Sequence, residues 1–172
     1  MAETDGAQNG QGNQSGNQGE QGAGPQLRVI TQYVRDLSFE SPNVPHSLAA
    51  QDAAPQIAVN VDVRVNPLAD TDFEVVLKVG VDAKVEGKQF FLVELEYAGV
   101  FRVANIPQES LQAVLLIECP RLIFPFARRI IADVTRDGGF PPLMVDPIDF
   151  AALFRQQMQA QQEAGEKARP DA

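Results

Sequence analysis

The sequence predicts an α+β fold: four sequential antiparallel strands, then two main helices on one face of the sheet. Three observations carry this prediction. Ile57, Val59, Val61, Val63 and Val65 alternate with Ala58, Asn60, Asp62, Arg64 and Asn66. Phe73 to Val85 repeats that period of two and meets a tight hairpin signal at Glu86-Gly87-Lys88. After Ala104 the apolar spacing changes to that of a helix. A period of two marks half-buried strands, and the later change of period segregates the helices from them.

Taken in order, Leu27 to Phe39 reads as a first strand, bulged near Gln32-Tyr33. Ser41-Pro42-Asn43-Val44-Pro45 stops it, because each proline fixes φ and restricts the residue before it. His46 to Pro55 is a connecting loop with room for a short helical turn. Gln56 to Asn66 and Phe73 to Val85 are the second and third strands, and Gln89 to Ala104 returns as the fourth. On that strand Phe91, Val93, Leu95 and Tyr97 take one face, and Phe90, Leu92, Glu94 and Glu96 the other, with a bulge or bend expected at Gly99.

Pro107 opens a helix that should end or kink at Cys119-Pro120. Ile123, Phe126, Ala127, Ile130, Ile131 and Val134 then form a helical core face, with Pro125 expected in the first turn and Asp137-Gly138-Gly139 as the stop. A last helix is expected from Asp146 as N-cap, with Pro147 at its first position and a stripe of Phe150, Ala151, Phe154 and Met158.

The chain has 172 residues, enough for one domain with tails. Residues 1–25 are rich in Gly, Gln and Asn and are expected to be a disordered tail, with neither the basic start nor the apolar core of a signal peptide. Residues 26–159 are the folded domain, and 160–172 a flexible C-terminal tail. The net charge is −9 and no basic run is longer than Arg128-Arg129, which argues against nucleic acid and for a basic partner. One cysteine, Cys119, precludes a disulfide within the chain, and no apolar run approaches a membrane span, so a cytoplasmic protein is expected.

Chemistry finds little footing. Cys119 lies in an apolar run and reads as a buried thiol, while the single histidine, His46, sits in a loop. One Cys and one His cannot build a structural zinc tetrahedron, the carboxylates lack calcium-loop spacing, and the glycines lack a phosphate-loop context. No cofactor and no catalytic residue is expected.

Binding is better supported. Asp36 and Glu40 fall on one face of a strand, roughly 13 Å apart when extended, too far for a shared-proton dyad and suited to gripping a basic partner. Glu94 and Glu96 share a face of the last strand. Phe124, Phe126, Phe150 and Phe154 read as core, whereas Phe39, Phe90, Phe140 and Leu143 lie where they could line an apolar groove. Apolar groups on more than one face imply self-association, peptide binding or both.

Three separated stretches carry a family resemblance. Tyr33 to His46 (YVRDLSFESPNVPH) resembles the start of SecB, the bacterial protein-export chaperone; Cys119 to Arg128 (CPRLIFPFAR) resembles its central helix. Gly138 to Leu143 (GGFPPL), followed by Pro147-Ile148-Asp149-Phe150 and Ala152-Leu153-Phe154, resembles its closing segment. The resemblance implies a non-enzymatic holdase without ATP chemistry of its own, assembled as a homotetramer, a dimer of dimers. It implies that the chain keeps precursors unfolded and hands them to the SecA motor, docking SecA's basic, zinc-containing C-terminal tail. By motif match, the SecA-binding residues fall on Asp36, Glu40, Leu92 and Glu94. For the precursor groove, Phe39, Val44, Phe90, Phe140, Leu143 and Met144 are nominated. The main alternative is a SecB-like chaperone serving another partner, such as a toxin–antitoxin pair; a small α+β enzyme and a purely structural oligomer stand behind it.

Overall fold

The computed structural model describes residues 24–49 and 52–167; most of the expected N-terminal tail and the last five residues of the C-terminal one lie outside that range. Four strands form one antiparallel sheet: β1 (Gln26–Glu40), β2 (Gln56–Pro67), β3 (Asp72–Val85) and β4 (Lys88–Ala104), in the spatial order β1-β4-β3-β2. Helix α1 (Gln108–Ala113) runs through a π-helical stretch, Val114–Glu118, into α2 (Cys119–Asp137), and α3 (Phe150–Lys167) follows. Helix α3 thus continues past the boundary expected at residue 159.

The helices cover one face of the sheet. Buried Val75, Leu77, Val79 and Val81 of β3, with Phe91, Val93, Leu95 and Phe101 of β4, meet Leu115, Cys119, Ile123, Ala127 and Ile131 from the helical run. Gly99 is not a bulge: it pairs in regular register with Gln32 and Val75. A Cβ there would stand 2.8 Å from the Phe101 ring and 3.2 Å from Ile123, so glycine lets α2 approach the sheet closely. The Glu86-Gly87 turn matches expectation, with both residues at positive φ, as a two-residue hairpin of this hand requires.

Several local expectations change. The extra residues of β1 are Ile30 and Arg35, not Gln32-Tyr33. On β4, Ala83 pairs with Phe91 and Lys84 with Gln89, leaving Phe90 unpaired as a bulge. That slip removes Phe90 from the face of Leu92 and Glu94 and brings its ring to 4.6 Å from Phe140.

Of the two outcomes expected at Cys119-Pro120, an end or a kink, the helix does not end there, and its regular α-helical bonding is interrupted just before it. The π turn lies just ahead of it, and its wider hydrogen-bonding frame carries the chain past the site where a proline ring would crowd the preceding turn. Pro125 lies inside α2 rather than in its first turn, on the exposed side beside Arg121. By length and composition alone, the run Gln108–Asp137 is apolar enough to cross a membrane, contrary to the reading from separate short runs. Its buried row packs on the sheet, and Leu122 and Phe126 stay 46% and 44% exposed. Phe126 is therefore not core, although it stacks on Tyr97 at 6.4 Å.

Gly139 takes the left-handed conformation that ends α2 (φ 89°). The true N-cap of α3 is Asp149, not Asp146: its Oδ1 accepts the Ala152 N–H at 2.9 Å. Phe150 is buried and packs edge-on against Phe124, whereas Phe154 is only half-buried and lies outside the core cluster.

Candidate functional site: the open faces of the sheet

Helices cover one face, so the opposite, outer face presents alternate residues of all four strands. Strand register orders them into rows. Glu40, Leu92, Asp82 and Ala58 form one row; Ser38, Glu94, Gly80 and Asn60 the next; Asp36, Glu96, Lys78 and Asp62 the third. The structure thus brings Asp36, Glu40, Leu92 and Glu94 together on one surface, across the adjacent strands β1 and β4. No bulge falls between Asp36 and Glu40, so both keep that face.

These three rows and their end hold six carboxylates (Asp36, Glu40, Asp62, Asp82, Glu94, Glu96) with the ammonium groups of Lys78 and Lys84 among them, and Arg64 from the next row reaches Asp62 at 3.9 Å as well as Glu96. Asp82 pairs with Lys84 at 2.8 Å, while Glu94 meets Lys78 only at 3.9 Å. Asp36 and Glu40 have no ion-pair partner among the described residues.

The other half of the outer face is differently built. Tyr33 donates to Glu74 at 2.6 Å, Asn66 to Glu74 at 2.7 Å and Arg35 to Glu74 at 3.2 Å. Arg64 and Arg35 hold Glu96 at the border between the halves, and Arg102 grips Asp72 through two bonds of 2.8 Å. The Tyr33 and Asn66 donors keep the Glu74 carboxyl below its usual range, and the Arg102 guanidinium does the same for Asp72.

The apolar nominees divide. Phe39, Phe90 and Phe140 meet in one aromatic cluster with Phe91, with ring centroids 4.6–6.3 Å apart. Phe140 is buried in it, so it forms a floor rather than an open wall. Leu143 is half-buried; its backbone N–H donates to the buried Thr135 hydroxyl at 2.9 Å. Met144, 57% exposed, instead lines a cavity of about 530 Å³ with Arg121, Phe124, Arg128 and Ile148. Val44 is exposed on the loop after β1.

Sequence reasoning missed what holds that loop. Ser41 and Asn43 donate to the Phe90 and Gln89 carbonyls, and Leu48 rests against Gly139. A Cβ at Gly138 would collide with the Phe39 ring, so glycine is needed there for that ring to pack. Missed too were Ile57 and Val59, exposed because the apolar stripe of β2 outruns its helical cover; the length of the stripe was the available signal. Cys119 is buried, and burial with Glu118 nearby pushes its thiol up to about 12, which leaves it protonated and inert.

An open acidic face on one side of a sheet and uncovered apolar surface on the other belong to a protein that docks other polypeptides, a chaperone by class. The chain belongs to the SecB family, described as preprotein translocase subunit SecB, whose model matches residues 20–161. It is 61% identical over 159 residues to the protein-export protein SecB of Parvibaculum lavamentivorans, covering 92% of this chain and 95% of that one. It is 58% identical to the SecB of Xanthobacter autotrophicus, covering 81% and 89%. Among solved structures it is similar to a SecB-like chaperone of Mycobacterium tuberculosis in complex with an antitoxin peptide. That match has a TM-score of 0.59 and 15% identity over 71% of this chain and 90% of the other, a likeness of fold.

Proposed function

We propose that this chain is an ATP-independent cytoplasmic holdase that keeps precursor proteins unfolded and delivers them to SecA for export. The observation that carries the reading is the unneutralised pair Asp36 and Glu40, set beside Leu92 and Glu94 on the open half of the outer face. The basic, zinc-containing tail of SecA docks there: the carboxylates attract and orient it, and Leu92 gives a dry contact between them. The zinc belongs to the partner, and ATP hydrolysis occurs on SecA; this chain catalyses nothing.

Precursors bind by burial of apolar side chains in a groove formed by Phe39, Phe90 and Leu143 over Phe140, with the exposed Val44 on the adjoining loop, and at a second apolar patch where Met144 lines its own cavity with Phe124 and Ile148. Many weak contacts along an extended chain give avidity while each one releases quickly. The assembly is a homotetramer, a dimer of dimers. Two surfaces support it: β1, a 15-residue edge strand with Ile30, Val34 and Leu37 exposed, and the Leu122–Phe126 side of α2. The identity to export chaperones over nearly the whole chain favours this reading over a toxin–antitoxin role.

The test is calorimetric titration of the purified oligomer with an unfolded precursor and, separately, with the zinc-loaded SecA tail peptide. Both should bind. Binding of the precursor alone would sink delivery to SecA, and binding of neither would leave a structural oligomer.

A further inference from the structure

The Met144 cavity, about 530 Å³, joins apolar walls to positive charge on a chain whose net charge is −9. Phe124, Pro125 and Ile148 line it with Met144, and so do two guanidinium side chains of α2, Arg121 and Arg128. The two arginines differ. Arg121 is held by the Glu118 carboxylate at 2.9 and 3.1 Å. Arg128 is half-buried and has no ion-pair partner among the described residues, and its Nε is buried without a hydrogen-bond partner. The acidic residues of the segment opposite do not serve it: Asp149 accepts the Ala152 N–H as the cap of α3, and Asp146 does not line the cavity. A charged donor drawn out of water with nothing to bond is costly, so Arg128 gains when a carboxylate reaches it.

We propose that this cavity receives the C-terminal residue of an unfolded polypeptide, its apolar side chain among Phe124, Met144 and Ile148 and its terminal carboxylate on Arg128. The inference rests on the holdase reading above and adds to it a site for chain ends. Charge complementarity asks for an anion, and the walls ask for an apolar group beside it. An internal aspartate or glutamate meets both demands poorly. Successive side chains of an extended chain point to opposite sides, so the acidic group and its apolar neighbour do not enter one cavity together. A terminal residue carries both groups on a single Cα. The cavity has the size of sites that enclose a small organic ligand, more than one side chain needs. Methionine, unbranched and adaptable, lets one wall fit terminal residues of different shape.

The test uses the purified oligomer and two short apolar peptides that differ only at their end, one a leucine with a free carboxylate and the other its carboxamide. By calorimetry the natural chain should prefer the carboxylate about tenfold, as one charge-assisted hydrogen bond allows. Arg128→Gln should abolish that preference, because the ratio of the two affinities depends on the guanidinium alone. Arg128→Lys, which keeps the charge, should restore part of it. The melting temperature of Arg128→Gln should hold, since the side chain has no ion pair to lose. Equal affinity of the natural chain for the two peptides, or binding of neither beside intact binding of an unfolded precursor, would overturn the terminal site and leave the holdase reading standing. A preference that survives Arg128→Gln would overturn the role of Arg128. Equal preference for a peptide with an internal aspartate and an amidated end would overturn the choice of a chain terminus. An Arg128→Gln oligomer that dissociates on a sizing column would assign the cavity to contact between copies instead. Failure of the natural chain to bind the peptides and the unfolded precursor alike would overturn both readings.

Discussion

The two halves of the outer sheet face use the same residue types to opposite ends. Around Tyr33, Arg35, Asn66 and Glu74, and again at Asp72 and Arg102, the carboxylates are gripped by donors on neighbouring strands. In the other half Asp82 is held by Lys84 and Gln89, but Asp36 and Glu40 stand unpaired and Glu94 is only loosely met. In the first half, electrostatics holds strands together. In the second, self-repulsion among exposed carboxylates is tolerated, a small cost that an arriving cation reverses. An acidic composition does not reveal this division; register does.

Charge reversal should break the comparison most sharply. Asp36→Lys with Glu40→Lys is expected to weaken binding of the zinc-loaded SecA tail peptide at least ~100-fold, since like charges then face the basic segment. The melting curve should barely move, because neither carboxylate has a partner to lose. A large fall in melting temperature with binding intact would assign both residues to the sheet instead.

Glu74→Gln is the converse experiment. It should cost about 1–2 kcal/mol of stability, as charge-assisted bonds to Tyr33 and Arg35 weaken, and leave peptide binding unchanged. Its pH dependence has a definite sign. Glu74 is held below the ordinary glutamate range in the folded chain, so its contribution is complete above the unfolded value and is lost as pH falls through the folded one. Denaturant melts of Glu74→Gln should therefore lose less stability on acidification than those of the natural chain. Parallel curves would show that Glu74 is not the group responsible.

Salt sharpens the contrast less drastically. Raising ionic strength from about 0.05 to about 0.3 M should weaken peptide binding several-fold and leave precursor binding nearly constant, because only the first depends on exposed charge. Salt-insensitive peptide binding, read by calorimetry, would mean that Leu92 and other apolar contacts dominate the docking.

Much of this was legible in the sequence, for a physical reason. The strands of the sheet follow from period-two patterning, which records which residues a sheet can bury. Asp36 and Glu40 were placed on one face by even spacing alone, and the family motif added Leu92 and Glu94. What stayed hidden depends on tertiary register. The bulge at Phe90 moves one ring off the docking face into the cluster with Phe140, and nothing local in Gln89-Phe90-Phe91 announces it. Phe126 matched the helical core spacing yet lies 44% exposed, because α2 turns Phe124 toward the core instead. By residue type Asp146 and Asp149 are equally good caps, and only the observed bond from the Ala152 N–H to Asp149 Oδ1 tells them apart.

The smallest effect serves as a control on all the others. Cys119 sits in the core against the covered face of the sheet, its thiol raised to about 12 by burial. At pH 8 a thiol reagent should label it only during an opening of the fold, so the labelling rate reports local stability rather than thiolate population. The Asp36→Lys and Glu40→Lys chain should label as slowly as the natural one, and Glu74→Gln modestly faster, by no more than its loss of stability converts to. Mass spectrometry of the labelled chain would read this directly. Fast labelling of the charge-reversed chain would mean that the acidic half, too, holds the sheet together, and the division of the outer face into a binding half and a structural half would fail.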